Sequence, residues 1–569
     1  MTTQHTQTVP SEGETARIRG LRTVIIGGVA GGMSAATRLR RLDETAEIVV
    51  LERGGYVSFA NCGLPYHIGG VIEDRAKLLL QSPEGLSSRF RLDVRVRTEA
   101  IRIDRAAQTV TVRDLDSGAE HEERYDRLIL APGAELRERQ TIAGIPTHSL
   151  RSVEDVDAIH AALADAGDAP LALVLGGGFI GLEAAENLAL RGATVLLLQH
   201  SGQLFRVLDP EMSTRLHDTM LEHGVEVRLN TTAVEAESRD GDVRLSDGSA
   251  VRPALIIDAR GVVPAIGPAR AAGIVLGDSG GIAVDGAHRT NDPNIFAVGD
   301  AVEKTDAVDG SRGLVTMAGL ANRHGRAAAD AIAGLPVEAT PALGTSIIGL
   351  FGLQAAVVGH SETRLRADGR AHRVIHTHPL SHAGYYPGAE QIALKLMVDP
   401  ETDLILGAQA VGRDGVDKRI DVIATAMFAG LTATQLTQLE LAYAPQFGSA
   451  KDPINLIGYV NENLAAESRS VQWHEMPALR DAGAVLLDVR SPGEFAAGAI
   501  PGSINLPLDE IRERAGELPD APLIVHCQVG QRGHTAAALL RQLGHDVSNL
   551  DGGFLTWRAG SAARERSTP

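Results

Sequence analysis

Two glycine-rich turns constrain the fold of this chain most strongly. The apolar run T-V-I-I leads into G-G-V-A-G-G (residues 27–32), and L-A-L-V-L leads into G-G-G-F-I-G (residues 176–181). In each copy a helical pattern and then a second apolar run follow the glycines. A glycine turn between a strand and a helix lets backbone N–H groups approach a pyrophosphate. The two β-glycine-α-β units therefore predict two dinucleotide-binding domains.

The first turn lacks the middle glycine of the G-x-G-x-x-G pattern. Gly27 and Gly32 hold the outer positions, and Val29 stands in the middle. Glu52 ends the next apolar run, at the distance of about 20 residues expected for the acid that binds a ribose diol. Because this carboxylate is in place, we expect a bound dinucleotide here rather than an ordinary tight turn.

The second turn matches the full pattern at Gly176, Gly178 and Gly181. Its following strand ends in Gln199 and His200, so the ribose-binding carboxylate is missing. A carboxylate there would favour NADH and repel the 2′-phosphate of NADPH. Both NADH and NADPH therefore remain open as the reductant.

Composition excludes several classes of protein. The formal net charge of −18 argues against nucleic acid or an anionic membrane as the main partner. No uncharged apolar run reaches membrane-spanning length. Two cysteines in 569 residues cannot build a disulfide framework, which favours a reducing cytoplasm. We expect a soluble cytoplasmic protein whose sequence indicates no metal site.

One of the two cysteines, Cys62, lies in the short polar stretch S-F-A-N-C-G-L-P-Y (residues 58–66). A single thiol has no neighbour with which to form an internal disulfide. When oxidised it must become a sulfenic acid or bond to an external thiol or sulfur atom. A buried structural cysteine is the alternative, but the strand pattern that usually flanks such a residue is missing.

Further motifs carry a resemblance to a known family. T-x-x-x-x-I-F-A-V-G-D (residues 290–300) is similar to the second FAD fingerprint of the two-dinucleotide-domain flavin reductases, which implies that Asp300 binds the ribitol side of FAD. L-I-L-A-P-G-A (residues 128–134) resembles their crossing between the FAD and NAD domains. The resemblance implies FAD in the first glycine unit and NAD(P)H in the second.

Within these reductases the cysteine motif resembles that of the single-cysteine group, which includes coenzyme A-disulfide reductases, NADH peroxidases and oxidases, and persulfide reductases. In the two-cysteine reductases a second thiol follows after four residues, and here that position is His67. The likeness to the coenzyme A-disulfide reductases covers residues 20 to about 463. It implies that coenzyme A is bound by Arg41, Ser58, Phe59, Asn61, Asn322 and His324.

The region after residue 335 resembles the dimerisation domain of the same family. H-A-G-Y-Y-P-G and L-A-Y-A-P-Q-F-G-S-A-K-D-P-I-N are the matching stretches. The resemblance implies a homodimer in which Tyr385 and Tyr443 reach the partner subunit's cysteine. A phenol there can donate a hydrogen bond or a proton to a thiolate leaving group. Simple packing in an interface is the alternative role.

The last hundred residues resemble a rhodanese domain. L-L-D-V-R-S-P-G-E-F and H-C-Q-V-G-Q-R-G-H carry the likeness, and they predict a loop over Cys527–Arg532 before a helix. Loop N–H groups can form an anion nest that favours a thiolate and its persulfide. Gln528 and Ala499 depart from the common Arg and His of this family. The alternatives are a phosphatase, which needs a longer loop, and a degenerate structural domain.

The predicted fold class is α/β, with two Rossmann-like dinucleotide-binding domains, an α+β dimerisation domain and a C-terminal α/β rhodanese domain. The predicted boundaries are a disordered N-terminus over 1–19, an FAD domain over 20–150 and 263–334, an NAD(P)H domain over 151–262, a dimerisation domain over 335–463, a linker over 464–470 and a rhodanese domain over 471–566.

The predicted enzyme passes electrons from NAD(P)H through FAD to Cys62, which reduces coenzyme A persulfide, polysulfide or coenzyme A disulfide. Cys527 carries sulfane sulfur from a thiosulfate-type or polysulfide donor, with Arg532 beside it. The alternatives are an NADH oxidase or peroxidase that cycles Cys62 as a sulfenic acid, a sulfurtransferase with a scaffold flavin module, and a redox-sensing interaction protein. The expected cofactor-binding residues are Gly27, Gly28, Ala30, Gly31, Gly32, Glu52, Arg53, Asn61, Ala131, Pro132, Gly133, Gly176, Gly178, Phe179, Ile180, Gly181, Glu183, Gln199, Gly261, Gly299, Asp300 and Ala318.

Overall fold

The computed structural model describes residues 20–136, 142, 145–236, 241–338, 340–466 and 468–567. The N-terminal segment 1–19, for which we predict disorder, lies outside these residues. The chain divides into two compact units: Met1–Pro170 with Ala254–Ala342, and Leu171–Pro253 with Leu343–Pro569. No helix among the described residues is long and apolar enough to span a membrane.

The first unit is built on a five-stranded parallel sheet. In spatial order its strands are Ile295–Ala297, Arg127–Leu130, Arg22–Ile26, Glu47–Leu51 and Asp93–Arg95. The strands are almost continuous apolar runs because both faces of the sheet are covered. The helices Ala30–Leu42 and Ala318–Ile332 pack against each other on one face, and the antiparallel strands Thr98–Asp104, Thr109–Asp114 and Glu120–Arg124 form a separate small sheet.

Shorter elements of the first unit surround this sheet. Two pairs of strands are Ala134–Leu136 with Val262–Pro264 and Thr147–His148 with Leu255–Asp258. A third, hairpin-like pair joins Lys304–Thr305 and Arg312–Gly313. The remaining helices and turns are Asn61–Gly63, Leu64–Ile68, Arg75–Leu78, Pro83–Phe90, Val153–Asp165, Gly267–Ala271 and Gly299–Ala301.

The second unit begins with the second glycine turn. The parallel strands Leu171–Leu175, Thr194–Leu198 and Glu226–Arg228 alternate with the helices Phe179–Leu190 and Pro210–Glu222. The strands Ala233–Ala236, Val243–Leu245 and Ala250–Val251 follow as an antiparallel sheet.

A five-stranded antiparallel sheet forms the middle of the second unit. Its spatial order is Ser346–Leu350, Leu353–Gly359, Ile405–Gly412, Ala393–Val398 and Arg373–Thr377. Apolar side chains of the sheet form one core with the helices Val416–Phe428 and Pro453–Ala466. The helices Glu362–Ala367 and Thr434–Gln438 complete this part.

The C-terminal part has its own parallel sheet, in the order Ser470–Val471, Val547–Leu550, Leu523–His526, Val485–Asp488 and Ile504–Asn505. The preceding helix runs to Ala466, three residues into the predicted linker, and the first strand begins at Ser470. The accompanying helices are Met476–Asp481, Pro492–Ala496, Leu508–Glu510, Ile511–Arg514, Ala515–Glu517, Gln531–Gln542 and Gly553–Ser567.

Candidate active site

The first glycine turn is held so tightly that side chains are excluded. Gly27 has a positive φ of +103°, and a Cβ on it would lie 2.1 Å from the carbonyl oxygen of Ala131. A Cβ on Gly32 would lie 1.9 Å from the oxygen of Gly27. The predicted crossing residues Ala131 and Pro132 therefore lie directly against this turn, and Gly133 follows them at φ +72°. Such close approach of backbone to backbone requires glycine.

The turn leaves backbone donors for a phosphate group. The helix Ala30–Leu42 begins after Val29, and within the described chain no side chain caps its first N–H groups. The Glu52 carboxylate accepts the N–H of Gly28 at 2.7 Å with one oxygen and that of Gly54 at 2.7 Å with the other. Each oxygen keeps a lone pair for a ribose hydroxyl. These residues fit the pyrophosphate and ribose of a dinucleotide, while Arg53 is exposed and lies 3.8 Å from Glu99.

Asp300, the residue of the second FAD fingerprint, has two basic neighbours. Burial raises the pKa of Asp300, and the charges of Lys304 and Arg151 oppose that rise. Burial lowers the pKa of Lys304 to about 8, and its Nζ donates to the oxygen of Gly299 at 2.6 Å. The sequence did not indicate Lys304 or Arg151 at this site. Nearby, the helix that starts at Ala318 also has an N-terminus uncapped by any described side chain.

Cys62 lies in an exposed turn that is tied to the same glycine loop. It sits in the helical turn Asn61–Gly63, directly before the helix Leu64–Ile68, and it forms no disulfide. Asn61 Nδ2 donates to the oxygen of Arg151 at 2.8 Å. The N–H of Ser58 donates to the oxygen of Gly28 at 2.9 Å, with Ser58 in the left-handed region at φ 46°. Holding a serine there costs about 1 kcal/mol, as is common at functional sites.

The position of the missing second cysteine is filled by a packed histidine. His67 is buried, and its Nδ1 lies 2.6 Å from the oxygen of Ile72. Its ring stacks on that of His160, with 5.0 Å between centroids. His160 belongs to the helix Val153–Asp165, so this contact packs the helix after Cys62 onto a neighbouring helix.

The predicted coenzyme A residues do not all share one exposed surface. Arg41 is exposed near the end of the first helix, and Asn322 is exposed with its Oδ1 accepting from Ser34 at 2.7 Å. His324 is instead buried against His288, with ring centroids 4.4 Å apart. Burial and the His288 ring lower the pKa of His324 to about 3, so its imidazole is neutral. Phe59 is partly buried and pairs its backbone with Leu79.

The second glycine turn repeats the geometry of the first. The helix Phe179–Leu190, which carries Ile180, Gly181 and Glu183, begins after Gly178 without a side-chain cap among the described residues. Gln199 Oε1 accepts the N–H of Gly177 at 2.9 Å. The Phe179 ring meets Phe205 edge to face at 4.6 Å. Gly261, at φ +103°, belongs to the first unit.

The two selected tyrosines lie together on the surface of the second unit. The hydroxyl oxygens of Tyr385 and Tyr443 are 2.9 Å apart, and the residues are 76% and 50% exposed. The hydrogen bond to Tyr443 raises the pKa of Tyr385. Sequence spacing alone did not indicate that these phenols hydrogen-bond to each other.

The Cys527 loop is shorter than predicted. The helix begins at Gln531, so the loop is Cys527–Gly530 and Arg532 lies in the first helical turn. Cys527 is fully buried in this chain, and Gly530 has φ +91°. The oxygen of Cys527 accepts the N–H of Phe554 at 2.8 Å, which ties the loop to the helix Gly553–Ser567. The early start of the helix directs its first N–H groups toward the loop.

Arg532 is held by a carboxylate that sequence reasoning missed. Its two terminal nitrogens donate to Glu494 at 2.6 and 2.9 Å, and its guanidinium also contacts the Cys527 side chain. The Arg532 hydrogen bonds lower the pKa of Glu494 to about 2. Gln528, which replaces the common Arg, accepts from the buried Arg490 at 3.1 Å. The Cys527 thiol therefore lies beside a charged and firmly oriented guanidinium.

A buried charge cluster joins this domain to the middle sheet. His376 Nδ1 lies 2.7 Å from Asp551, just before the turn that holds the Cys527 loop, and its Nε2 lies 3.1 Å from Glu211. Lys395 Nζ donates to Glu211 at 2.5 Å and to Glu362 at 2.6 Å, and it lies 2.9 Å from Asp209. The Lys395 ammonium occupies the centre of this acidic group.

The arrangement defines a class of protein: two dinucleotide turns, a cysteine tied to the first of them, and a separate domain with a cysteine loop. Residues 21–323 match the family model of pyridine nucleotide-disulphide oxidoreductases, residues 346–452 match the dimerisation domain of that family, and residues 472–560 match the rhodanese-like domain. The chain belongs to the pyridine nucleotide-disulphide oxidoreductase family.

Named relatives fit this assignment. A coenzyme A disulfide reductase of Staphylococcus epidermidis is 34% identical over 77% of this chain and 99% of its own length. The crystal structure of reduced Bacillus anthracis CoADR-RHD superposes with a TM-score of 0.93 at 43% identity, covering 96% of this chain and 99% of that one. An NAD-dependent persulfide reductase from A. fulgidus has a TM-score of 0.88 at 33% identity, over 94% and 100% of the two chains.

The family assignment confirms the predicted fold class, with two Rossmann-type domains, a dimerisation domain and a C-terminal rhodanese domain. It also confirms that the chain is an FAD-dependent oxidoreductase that uses NAD(P)H.

Proposed function

We propose that this enzyme reduces coenzyme A persulfide, polysulfide or coenzyme A disulfide through Cys62 as its only redox cysteine. The observation that carries this proposal is the environment of Cys62. The thiol is exposed beside the first dinucleotide turn, while the place of a second thiol holds the packed ring of His67. A single cysteine must take its oxidising partner from outside the chain.

The proposed step at Cys62 is a thiol–disulfide exchange. With coenzyme A persulfide or disulfide, the Cys62 thiolate attacks the coenzyme A sulfur, a Cys62–coenzyme A disulfide forms, and hydrosulfide or coenzyme A thiolate leaves. With a polysulfide, the thiolate attacks a terminal sulfur, a Cys62 persulfide forms, and the shortened polysulfide leaves. Two electrons from NAD(P)H, passed through bound FAD, would return Cys62 to the thiolate and release coenzyme A or hydrosulfide.

Coenzyme A would be held by exposed groups of the first unit. The guanidinium of Arg40 already donates to four backbone oxygens. The exposed guanidinium of the neighbouring Arg41 is therefore the better candidate to pair with the nucleotide phosphates. Ser58, Phe59 and Asn61 would line the path of the pantetheine arm to Cys62. Asn322 is exposed and available for a contact, whereas His324 would have to leave its buried place beside His288.

Tyr385 and Tyr443 would act in the partner subunit's site of a homodimer. The two exposed phenols hydrogen-bond to each other, so one can donate toward a leaving thiolate while the other stabilises it. We place the reaction in the cytoplasm, where the two thiols of the chain would stay reduced.

Cys527 would carry sulfane sulfur. Its thiolate attacks the outer sulfur of a thiosulfate-type or polysulfide donor, the donor's remaining group leaves as an anion, and a Cys527 persulfide forms. The charge of Arg532 stabilises that persulfide, and Glu494 orients Arg532. Transfer of the outer sulfur to the coenzyme A thiolate then yields the persulfide that Cys62 reduces.

The test is to trap the mixed disulfide. The FAD-loaded enzyme is incubated anaerobically with coenzyme A disulfide and no reductant, and its peptides are weighed. An adduct of the mass of coenzyme A is expected on Cys62, retained in Cys527→Ser and absent in Cys62→Ser. An adduct on Cys527 alone, or a Cys62→Ser enzyme with full reductase activity, would show that the proposal is wrong.

A further inference from the structure

A large cavity lies within the second unit, and neither Cys527 nor the glycine turn lines it. Its volume is about 590 Å³, and its walls come from the helix Pro210–Glu222, the middle antiparallel sheet and the C-terminal helix Gly553–Ser567. This volume lies in the range of about 300–1,000 Å³ that small-molecule sites occupy. None of the residues proposed for the redox or sulfur-transfer reactions lines it.

Three arginines line this cavity without a carboxylate partner. Arg215 donates to the oxygen of Val411 at 3.1 Å, and Arg413 donates to that of Phe351 at 3.3 Å. Arg558 lies over the Phe554 ring at 5.8 Å. Within the described part of the chain, no carboxylate oxygen lies within 4.0 Å of their nitrogens. Burial and the charge of Arg413 lower the pKa of Arg215, while the charges of three nearby carboxylates oppose that change.

The acidic groups of the wall are mostly occupied elsewhere. Glu211 is bound by Lys395 at 2.5 Å, and Asp218 is bound by Arg566 at 2.6 Å. The charges of Glu390, Asp218 and Glu222 nevertheless act on Arg215. The lining therefore carries three guanidiniums and three carboxylates, and two of these carboxylates are already paired with Lys395 and Arg566.

The rest of the lining offers neutral donors and an apolar side. His378 Nε2 lies 2.8 Å from the hydroxyl of Thr556, and burial lowers the pKa of His378 to about 3, so the ring is neutral. Met212, Leu353 and Leu555 add apolar surface. This combination suits a ligand that has both an anionic and an apolar part.

We propose that this cavity binds an organic diphosphate. A guanidinium presents several N–H donors in a planar fork that matches phosphate oxygens, and three such groups suit more than one phosphate. The apolar side would contact the organic part. Because the helix Gly553–Ser567 forms one wall and Phe554 holds the Cys527 loop, the ligand would bridge the rhodanese domain to the rest of the unit.

Calorimetric titration of the full-length, FAD-loaded protein tests this site. NADP⁺ and coenzyme A are left out because each carries a diphosphate that would compete for this cavity. Inorganic pyrophosphate and ADP are the probes at low ionic strength, and the arginine variants assign binding to the cavity. We expect saturable binding of both, with ADP at least as tight as pyrophosphate. Binding of pyrophosphate without binding of ADP would contradict the proposal that the ligand is organic. No saturable binding of either probe would contradict the proposal that the cavity is a binding site.

Variants locate the binding. Arg413→Gln with Arg558→Gln changes two exposed residues and should weaken both probes about tenfold or more, since charge-assisted hydrogen bonds are lost. Arg252→Gln removes an exposed arginine paired with Asp242 and should leave affinity unchanged. Equal affinity in the double variant and the wild type would overturn the proposal. Because the measurement is binding, its outcome is independent of the reductase activity.

Discussion

Glu52 and Gln199 occupy the same position in two copies of one structural unit. Each side-chain oxygen accepts the N–H of the second glycine in its own turn, at 2.7 Å from Gly28 and at 2.9 Å from Gly177. The two turns share this hydrogen bond, but only Glu52 carries a negative charge. In the second unit, the buried amide of Gln199 keeps the turn closed without placing a negative charge near the ribose.

This relationship predicts how the reductant is selected. Gln199→Glu should keep the hydrogen bond to Gly177 and add a charge that repels the 2′-phosphate of NADPH. We expect the KM for NADPH to rise about tenfold or more, with little change for NADH. Steady-state kinetics with NADPH and with NADH measures these two KM values. Gln199→Leu, which removes the hydrogen bond without adding charge, should impair both alike, and an unchanged NADPH constant in Gln199→Glu would refute the assignment.

The contact between His376 and Asp551 predicts a pH-dependent stability. Burial lowers the pKa of His376, but its hydrogen bonds to Asp551 and Glu211 outweigh this and raise it to about 9. Lys395 and His378 also face this ring. A raised pKa means that protonated His376 stabilises the fold fully below its unfolded pKa of about 6.5, and that this contribution is lost as pH rises through 9.

Unfolding midpoints between pH 6 and 10 measure this effect. In the wild type we expect a loss of about 3 kcal/mol of stability across that window from this one group. His376→Gln should be less stable at pH 7 and should have a flatter profile. His372→Gln, at a partly buried histidine of the same region, should retain the wild-type profile. If the stability of His376→Gln changes with pH as steeply as that of the wild type, the pH dependence belongs to another group.

Glu494 is predicted to act through Arg532. Glu494→Gln keeps the size of the side chain but removes the charge that fixes the guanidinium at 2.6 Å. We expect transfer of sulfur from thiosulfate to fall about tenfold, since a charge-assisted pair is lost. Reduction of coenzyme A disulfide should be unaffected. Glu517→Gln, which changes an exposed carboxylate paired with Arg514, should leave both assays unchanged.

Tyr385 and Tyr443 are predicted to work as a pair. Tyr385→Phe or Tyr443→Phe should slow reduction about tenfold by removing a proton donor. The double variant should be hardly slower than either single one, because each phenol depends on the other. Tyr386→Phe is the control, since its ring packs edge to face on His382. Full activity in the double variant would exclude the tyrosines from the reaction.

Local patterns in the sequence predicted much of the fold and part of the site. The two glycine turns and the exposed position of Cys62 depend on residues close together in the chain. The pairs His376–Asp551 and Arg532–Glu494 were missed because folding joins residues that are far apart in sequence. The left-handed Ser58 was missed because serine has no preference for that conformation. The Cys527 loop was predicted too long because helix ends are poorly determined by local sequence.

Anaerobic turnover of coenzyme A persulfide tests the central claim most directly. NAD(P)H oxidation and sulfide release are measured together for the wild type, Cys62→Ser and Cys527→Ser, with hydrogen peroxide as the competing substrate. We predict one sulfide released for each NAD(P)H oxidised, a loss of about 100-fold or more in Cys62→Ser, and near wild-type turnover in Cys527→Ser. Full activity in Cys62→Ser, or faster turnover with peroxide than with the persulfide, would contradict the account.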